Sequence, residues 1–551
     1  MTVEESMAAL SGARRMSHGE QLARAARTSP EVTALRFEGA ALSYAALDDR
    51  VTRLARALAD RGVGFGDRVG TVMANRLEVV EAYLATSRLG AVAVPVNTRL
   101  VADEIAYIVT DSGAQVMIVD HERAPLVAPL LTCPERVLAA CLVVGAPVAA
   151  AGPAAESYEA AVAAAPASLA PIDVPESAAA FIMYTSGTTG RPKGAVLSHY
   201  NLLMNTLNTM ITRGISSADE VWLSAVPLFH IAGLNGLLPH LMLGATSVIA
   251  RPDSFDPARA VDTLESERIT GCFFVPSQWQ QICAVPGVKE RKLSLRRIVW
   301  GASAAPPSVL RAMAETFPGI PTYCAFGQTE MSSVTCLLRG EDAIRKMGSV
   351  GTPVPNVEAR LVDDTMADVA PGEVGEIVYR GPTVFQGYWN NPEATQEAFT
   401  GGWFHSGDLC RKDAEGYIYV VDRKKDMIVS GGENIYCAEV EAVIDSHPKV
   451  REVALIGVPH ERWVETPVAV VVAARADDPP TEQEIIEYCR ERLASYKKPT
   501  SVVLVDELPR NAGGKIMKTR LREAFARPAS PQAPGKGGDL PGAPPGGAAT
   551  G

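Results

Sequence analysis

A chain of 551 residues is longer than one hydrophobic core sustains, so two or more domains are expected. With 47% hydrophobic and 21% charged residues the composition is that of a globular protein, and a net charge of −11 argues against a nucleic-acid partner and against adhesion to anionic lipid. Nine cysteines, scattered from Cys133 to Cys489 without a C-x-x-C pair, favour free thiols in a reducing cytoplasm and offer no zinc site.

Residues 1–21 carry no apolar core of signal-peptide length, so no export is expected. Between Tyr44 and Gly62, Leu47, Val51, Leu54 and Leu58 recur at helical spacing, while residues 69–73 and 116–119 read as strands. Such alternation predicts α/β layers, with sheets covered by helices. The Ala- and Pro-rich residues 147–175 read as a loose surface connection, and the apolar run 178–183 as a buried strand. The apolar stretch 221–250 is interrupted by His230, Asn235, Pro239 and His240, so it reads as core and not as a membrane span. A second region begins near residue 426, with strands at 427–429, 452–458 and 468–473. There Thr481 and Glu484 form a capping-box pattern ahead of a helix carrying Ile485, Cys489 and Leu493. From residue 527 onward the composition collapses to Pro, Gly, Ala and Ser, which predicts a disordered tail.

The most informative stretch is 184–194, which gathers four aliphatic hydroxyls, three glycines and Lys193 directly after the predicted strand. Glycines let backbone N–H groups turn toward an anion, and hydroxyls and a lysine add donors and charge, so the loop suits polyphosphate. Pro192 before Lys193 and the missing G-x-x-x-x-G-K-[ST] spacing separate it from a Walker A loop. Further along, Glu330 is a candidate Mg²⁺ ligand, and Thr329 beside it can donate to a phosphate. Asp408 can accept from ribose hydroxyls and Arg423 can donate to the same sugar. Lys515, on a Gly-Gly turn, suits charge developing at the α-phosphate.

Taken in order, these motifs over residues 20–525 resemble the AMP-forming acyl-CoA synthetases of the adenylate-forming superfamily. The resemblance implies an α/β fold: a large multi-subdomain N-terminal α/β domain at 20–424, and a small mobile α+β C-terminal domain at 425–526 with its hinge at Lys425. An extension at 1–19 and the tail at 527–551 flank them. It also implies ATP, Mg²⁺ and coenzyme A. A carboxylic acid becomes an acyl-adenylate with release of pyrophosphate; the C-terminal domain then rotates and the CoA thiol displaces AMP.

Carried over by position, Thr185, Ser186, Gly187, Thr188, Thr189, Gly190 and Lys193 would bind the β- and γ-phosphates. Thr329 would contact the α-phosphate and Glu330 would hold Mg²⁺. Phe326 and Gly327, with Gly301, Ala302 and Ser303, would lie by adenine, and Asp408 and Arg423 would hold ribose. Lys515 would serve adenylation alone, Gly432 would line the pantetheine path, and His230 would stand between acyl pocket and thiol channel. The chain departs from the family pattern at Phe326 (usually Tyr), Ser406 (Thr), Cys437 (often Pro) and Val464 (commonly Gly).

The acid pocket is expected from residues 229–237 and 300–306, with Phe273, Phe274 and Trp279 nearby in sequence. Those stretches hold no Arg or Lys, which argues against a dicarboxylate such as malonate. A medium- or long-chain fatty acid is the first expectation and an aryl or alicyclic acid the second. A carrier-protein thiol as acceptor and a homodimer stay open, and a nucleotide-binding regulator with a dead site is the reading from another class. A cytoplasmic enzyme without transmembrane segments is expected.

Overall fold

The computed structural model describes residues 14–132, 138–146, 152, 155–185, 191–251, 255–301, 305–430, 433–460, 462–510 and 516–525. Ser186, Gly187, Thr188, Thr189, Gly190, Ala302, Ser303, Gly432, Lys515 and the tail from residue 527 lie outside the described residues.

Two large sheets dominate the first of two units. One runs, edge to edge, Gly387–Tyr388, Lys193–Ser198, Ala179–Thr185, Val92–Pro95, Arg68–Val72, Val116–Asp120, Ala140–Val144 and Ala155–Ser157. The other runs Thr352–Pro353, Ser333–Leu338, Thr322–Gln328, Arg297–Gly301, Gly271–Phe273, Val221–Ser224, Thr246–Ile249, Thr33–Phe37 and Ala40–Ser43. Their central strands are parallel, and antiparallel hairpins close the ends that carry the candidate site. Parallel strands are buried on both faces, which is why they read as apolar runs of Val, Ile and Met.

The helix Tyr44–Ala59 forms as its spacing predicts, with the Ser43 hydroxyl accepting from the Ala46 N–H at its start. Leu47, Val51, Leu54 and Leu58 are all fully buried. Each such side chain contributes about 1.5–3 kcal/mol on leaving water. The expectation of a loose connection at 147–175 is corrected: Ala155–Ser157 pairs with Ala140–Val144 and leads into the helix Tyr158–Ala164. Tyr158 is fully buried and donates to Glu81 Oε2 at 2.6 Å, while Arg50 Nε lies 2.6 Å from Glu81 Oε1. In an Ala-rich segment the apolar spacing of Tyr158, Ala161 and Val162 is masked by small neighbours.

The second unit comprises Leu361–Ile377, Gly407–Arg411 and the chain from Val420 onward, and so takes in residues ahead of 425. A four-stranded sheet ordered Glu358–Val362, Val374–Arg380, Phe404–Lys412, Ile418–Arg423 places Asp408 and Arg423 on adjacent strands. Further on, Glu433–Ile435, Ile428–Ser430, Val464–Ala473 and Val450–His460 form a second sheet, with Ser501–Leu504 parallel to Val464–Ala473. The capping box of Thr481 and Glu484 is present, and its helix Glu482–Arg490 ends before Leu493, which still packs on the same core. Among the described residues no helix is long and apolar enough to cross a membrane.

Candidate active site

The strand Ala179–Thr185 is antiparallel to Lys193–Ser198, with Thr185 opposite Lys193. The described residues on both sides of the glycine- and hydroxyl-rich stretch are fixed. Tyr184 donates to Asp111 Oδ2 at 2.6 Å, and the Trp389 indole N–H donates to the Asp111 carbonyl at 3.0 Å. Burial, reinforced by Asp111, raises the Tyr184 pKa and keeps it a donor. On the far side of the loop Tyr107 donates to the Pro192 carbonyl at 3.3 Å and takes the Arg191 guanidinium over its ring.

Glu330 sits in the tight turn Thr329–Met331 between two antiparallel strands, Thr322–Gln328 and Ser333–Leu338. The turn begins at a bulge at Phe326 and Gly327, where any Cβ on Gly327 would lie 1.8 Å from the Ser333 carbonyl oxygen. Only glycine permits that approach. The Glu330 carboxylate accepts from the Tyr388 hydroxyl at 3.0 Å, and its Oε1 lies 3.5 Å from the Thr185 hydroxyl. Lys193 Nζ stands 5.2 Å from the centre of the Tyr388 ring.

Glu330 and Tyr388 thus come from far along the chain to the paired Thr185 and Lys193: Tyr388 meets Lys193 and Glu330, and Glu330 lies by Thr185. Sequence reasoning missed Tyr388, whose only local signal is its place in the aromatic run Phe385, Tyr388, Trp389. No group of three or more His, Cys, Asp or Glu residues forms a metal cage among the described residues. A single carboxylate beside a hydroxyl fits Mg²⁺, which takes few protein oxygens and completes its shell with phosphate and water.

His230 is exposed at the N-terminal end of the helix Ile231–Leu243, and protein around it lowers its pKa by desolvation. Gly301 ends the strand Arg297–Gly301, where a Cβ would meet the Ala325 carbonyl oxygen at 2.3 Å and the Phe273 ring at 3.3 Å. Two aromatics near the expected pocket in sequence are buried in the core. Phe274 and Trp279 are core residues, packed edge-on with ring centres 5.3 Å apart, and Trp279 donates its indole N–H to the Val299 carbonyl.

In the second unit Asp408 is almost fully buried, and its Oδ1 lies 2.7 Å from Arg423 Nε. Gly407 precedes it at φ +72° and donates its N–H to Glu376 Oε1 at 3.0 Å. Lys424 pairs with Asp364 and Glu376, while Lys425 is exposed beside Asp426, which pairs with Arg522 at 3.0 Å.

The family model described as AMP-binding enzyme matches residues 22–389, and that of the AMP-binding enzyme C-terminal domain matches 439–515. A feruloyl-CoA synthase from Amycolatopsis is 40% identical over 91% of this chain and 98% of its own. The chain belongs to the AMP-forming acyl-CoA synthetases. As such a synthetase it is an acid–thiol ligase. A Mycobacterium tuberculosis fatty acyl CoA synthetase superposes with a TM-score of 0.75 at 34% identity, covering 93% of this synthetase and 98% of that chain. An O-succinylbenzoate coenzyme A synthetase from Bacillus subtilis, solved with ATP and magnesium ion, gives 0.79 at 31% identity, covering 92% and 99%.

Proposed function

We propose that this synthetase uses ATP, Mg²⁺ and CoA to activate a compact apolar monocarboxylic acid in the cytoplasm. The observation that carries the adenylation site is the grouping of Lys193 and Glu330 around Tyr388, with Thr185 beside Glu330. A carboxylate is a poor electrophile because its leaving group would be oxide. In the first half-reaction a carboxylate oxygen attacks the α-phosphorus, the α–β anhydride bond breaks, and pyrophosphate leaves. Lys193 and the loop hydroxyls hold the departing phosphates, Thr329 donates to the α-phosphate, and Glu330 would hold the Mg²⁺ that neutralises phosphate charge. Lys515 adds its cation to this step alone.

In the second half-reaction the CoA sulfur attacks the acyl carbon, its proton is lost, and the bond to AMP breaks. Rotation about Lys425 exchanges Lys515 for the Gly432 segment, which lets one pocket serve two chemistries. His230 stands where acyl group and thiol meet.

The helix Ile231–Leu243, which follows His230, is closely packed. Gly236 presses on Trp222, where a Cβ would be 2.4 Å from the indole nitrogen, and Trp222 stacks on His240. Leu234, Leu237, Leu238 and Leu241 meet Val80, Tyr83, Leu84 and Phe181 around a void of about 10 Å³. A ring-bearing acid is the reading favoured by the likeness to the feruloyl-CoA synthase relative. A medium- or long-chain fatty acid is the second reading, favoured by the fatty acyl CoA synthetase likeness.

Pyrophosphate release over a panel of aryl and aliphatic acids, with and without CoA, tests both points. Multiple turnovers with aryl acids only when CoA is present are expected. Release indifferent to CoA would overturn the acceptor, and preference for long alkyl acids would overturn the acid class.

A further inference from the structure

We propose that Tyr388 is a positioning residue for phosphate transfer, holding the Lys193 cation and the Glu330 carboxylate apart and in place. The inference rests on the adenylation reading above. The edge strand Gly387–Tyr388 pairs with Lys193–Ser198, and Tyr388 stands opposite Ala195. Residues two apart on a strand share a face, so Lys193 is the diagonal neighbour of Tyr388. Its ammonium accordingly lies over the ring, at 5.2 Å from the centroid, within the range of cation–π attraction. The same ring carries its hydroxyl to Glu330 Oε1 at 3.0 Å.

Opposite charges on flexible side chains would otherwise collapse into a direct ion pair. An aromatic spacer that binds the cation on its face and the carboxylate at its hydroxyl prevents this. The bond from Tyr388 to Oε1 fixes the orientation of the carboxylate that would hold Mg²⁺.

The backbone fixes the spacer as well. The Tyr388 N–H donates to Thr395 Oγ1 at 2.9 Å, and Gly387 at φ +141° lies so close that a Cβ would be 2.8 Å from Thr395 Cγ2. Phe385 packs edge-on against the ring at 4.9 Å. A role in that packing alone would make the hydroxyl dispensable, and this separates the two accounts.

The experiment compares wild type, Tyr388→Phe and Tyr388→Leu by calorimetric titration of ATP without acid or CoA, in Mg²⁺ series and in EDTA. Tyr388→Phe keeps the ring and should lose roughly tenfold in Mg²⁺-dependent ATP affinity while binding ATP normally in EDTA. Tyr388→Leu should also weaken binding in EDTA, by about threefold, because Lys193 loses its seat. Reaction of synthetic acyl-adenylate with CoA should be unchanged in both. Wild-type Mg²⁺ dependence in Tyr388→Phe would overturn the proposal, as would equal losses with and without Mg²⁺. If the wild type releases no pyrophosphate with any acid, the adenylation reading fails, and the titration still reports on Tyr388 by itself.

Discussion

Asp408 and Arg423 form an ion pair in which the aspartate side chain is 5% exposed and the arginine side chain 36% exposed, with Oδ1 2.7 Å from Nε. The pair is asymmetric. A buried acceptor is held by a more exposed arginine on the adjacent strand.

Asp408→Asn should therefore weaken ATP more than it weakens the fold. Loss of a hydrogen bond to a charged group costs about 1.5–3 kcal/mol, or roughly ten- to a hundredfold in KM for ATP. If Asp408 holds the ribose hydroxyls, the variant should also lose its preference for ATP over 2′-deoxy-ATP. Steady-state kinetics with both nucleotides reads this directly, and retained discrimination would move the ribose contact elsewhere.

The departure at Cys437 has a structural consequence. The backbone N–H of Cys437, the first residue of the helix Cys437–Asp445, donates to the buried Asp422 carboxylate, whose pKa is raised by burial. Proline is well tolerated at the first position of a helix, yet it has no N–H to give. Cys437→Pro is expected to cost about 1–3 kcal/mol by leaving Asp422 short of a donor, and Cys437→Ala far less. Denaturant midpoints of the two variants, measured side by side, distinguish backbone donor from side chain.

Val464 explains why glycine is common at its position. It sits at φ +72°, a conformation that costs a β-branched residue about 1–2 kcal/mol, and it is 68% exposed, so little burial compensates. Its neighbours hold it there. It pairs with His460 and Ser430, and Glu465 after it accepts from the Val429 N–H at 3.1 Å. Val464→Gly should be neutral or stabilising by up to about 1 kcal/mol, after the entropy of a glycine is set against the strain. Val470→Gly, in the fully buried middle of the same strand, should destabilise by several kcal/mol. A destabilised Val464→Gly in thermal unfolding would show that the strain is absent in solution.

What was legible in the sequence was what local chemistry dictates. The 178–183 strand, the helix from Tyr44 and the Thr481 cap each follow from composition or spacing within a few residues. Tyr388 was not legible, because its meaning arises from pairing beside Ala195 and from a reach to Glu330, neither of which leaves a mark at position 388. The environment of Trp279 was not legible either. It is near pocket residues in sequence, but the helix Pro276–Cys283 turns it into the core, where Val299 takes its N–H. Proximity along a chain says little about which side of a sheet a ring will occupy.

Two buried histidines set a pH limit on the fold. His18 and His199 face each other with Nδ1 atoms 2.7 Å apart, and neither Nε2 has a hydrogen-bond partner among the described residues. One ring donates and the other accepts, so the pair is neutral, and burial holds both below the ordinary value of 6.5, His199 at about 4. Folded pKa values lie below unfolded ones. The unfolded chain therefore takes up protons first, and stability is intact above pH 6.5 and declines as pH falls toward 4. The slope is about 1.4 kcal/mol per pH unit for each histidine in that window. His240, buried against Trp222 with a pKa also lowered to about 4, adds a third contribution. Chemical denaturation at pH 7.5, 6.5, 5.5 and 5.0 should give a plateau followed by a fall, and His18→Leu should flatten the fall by about one histidine's share. A stability flat from pH 7.5 to 5.0 would mean that these rings already reach water in the native state.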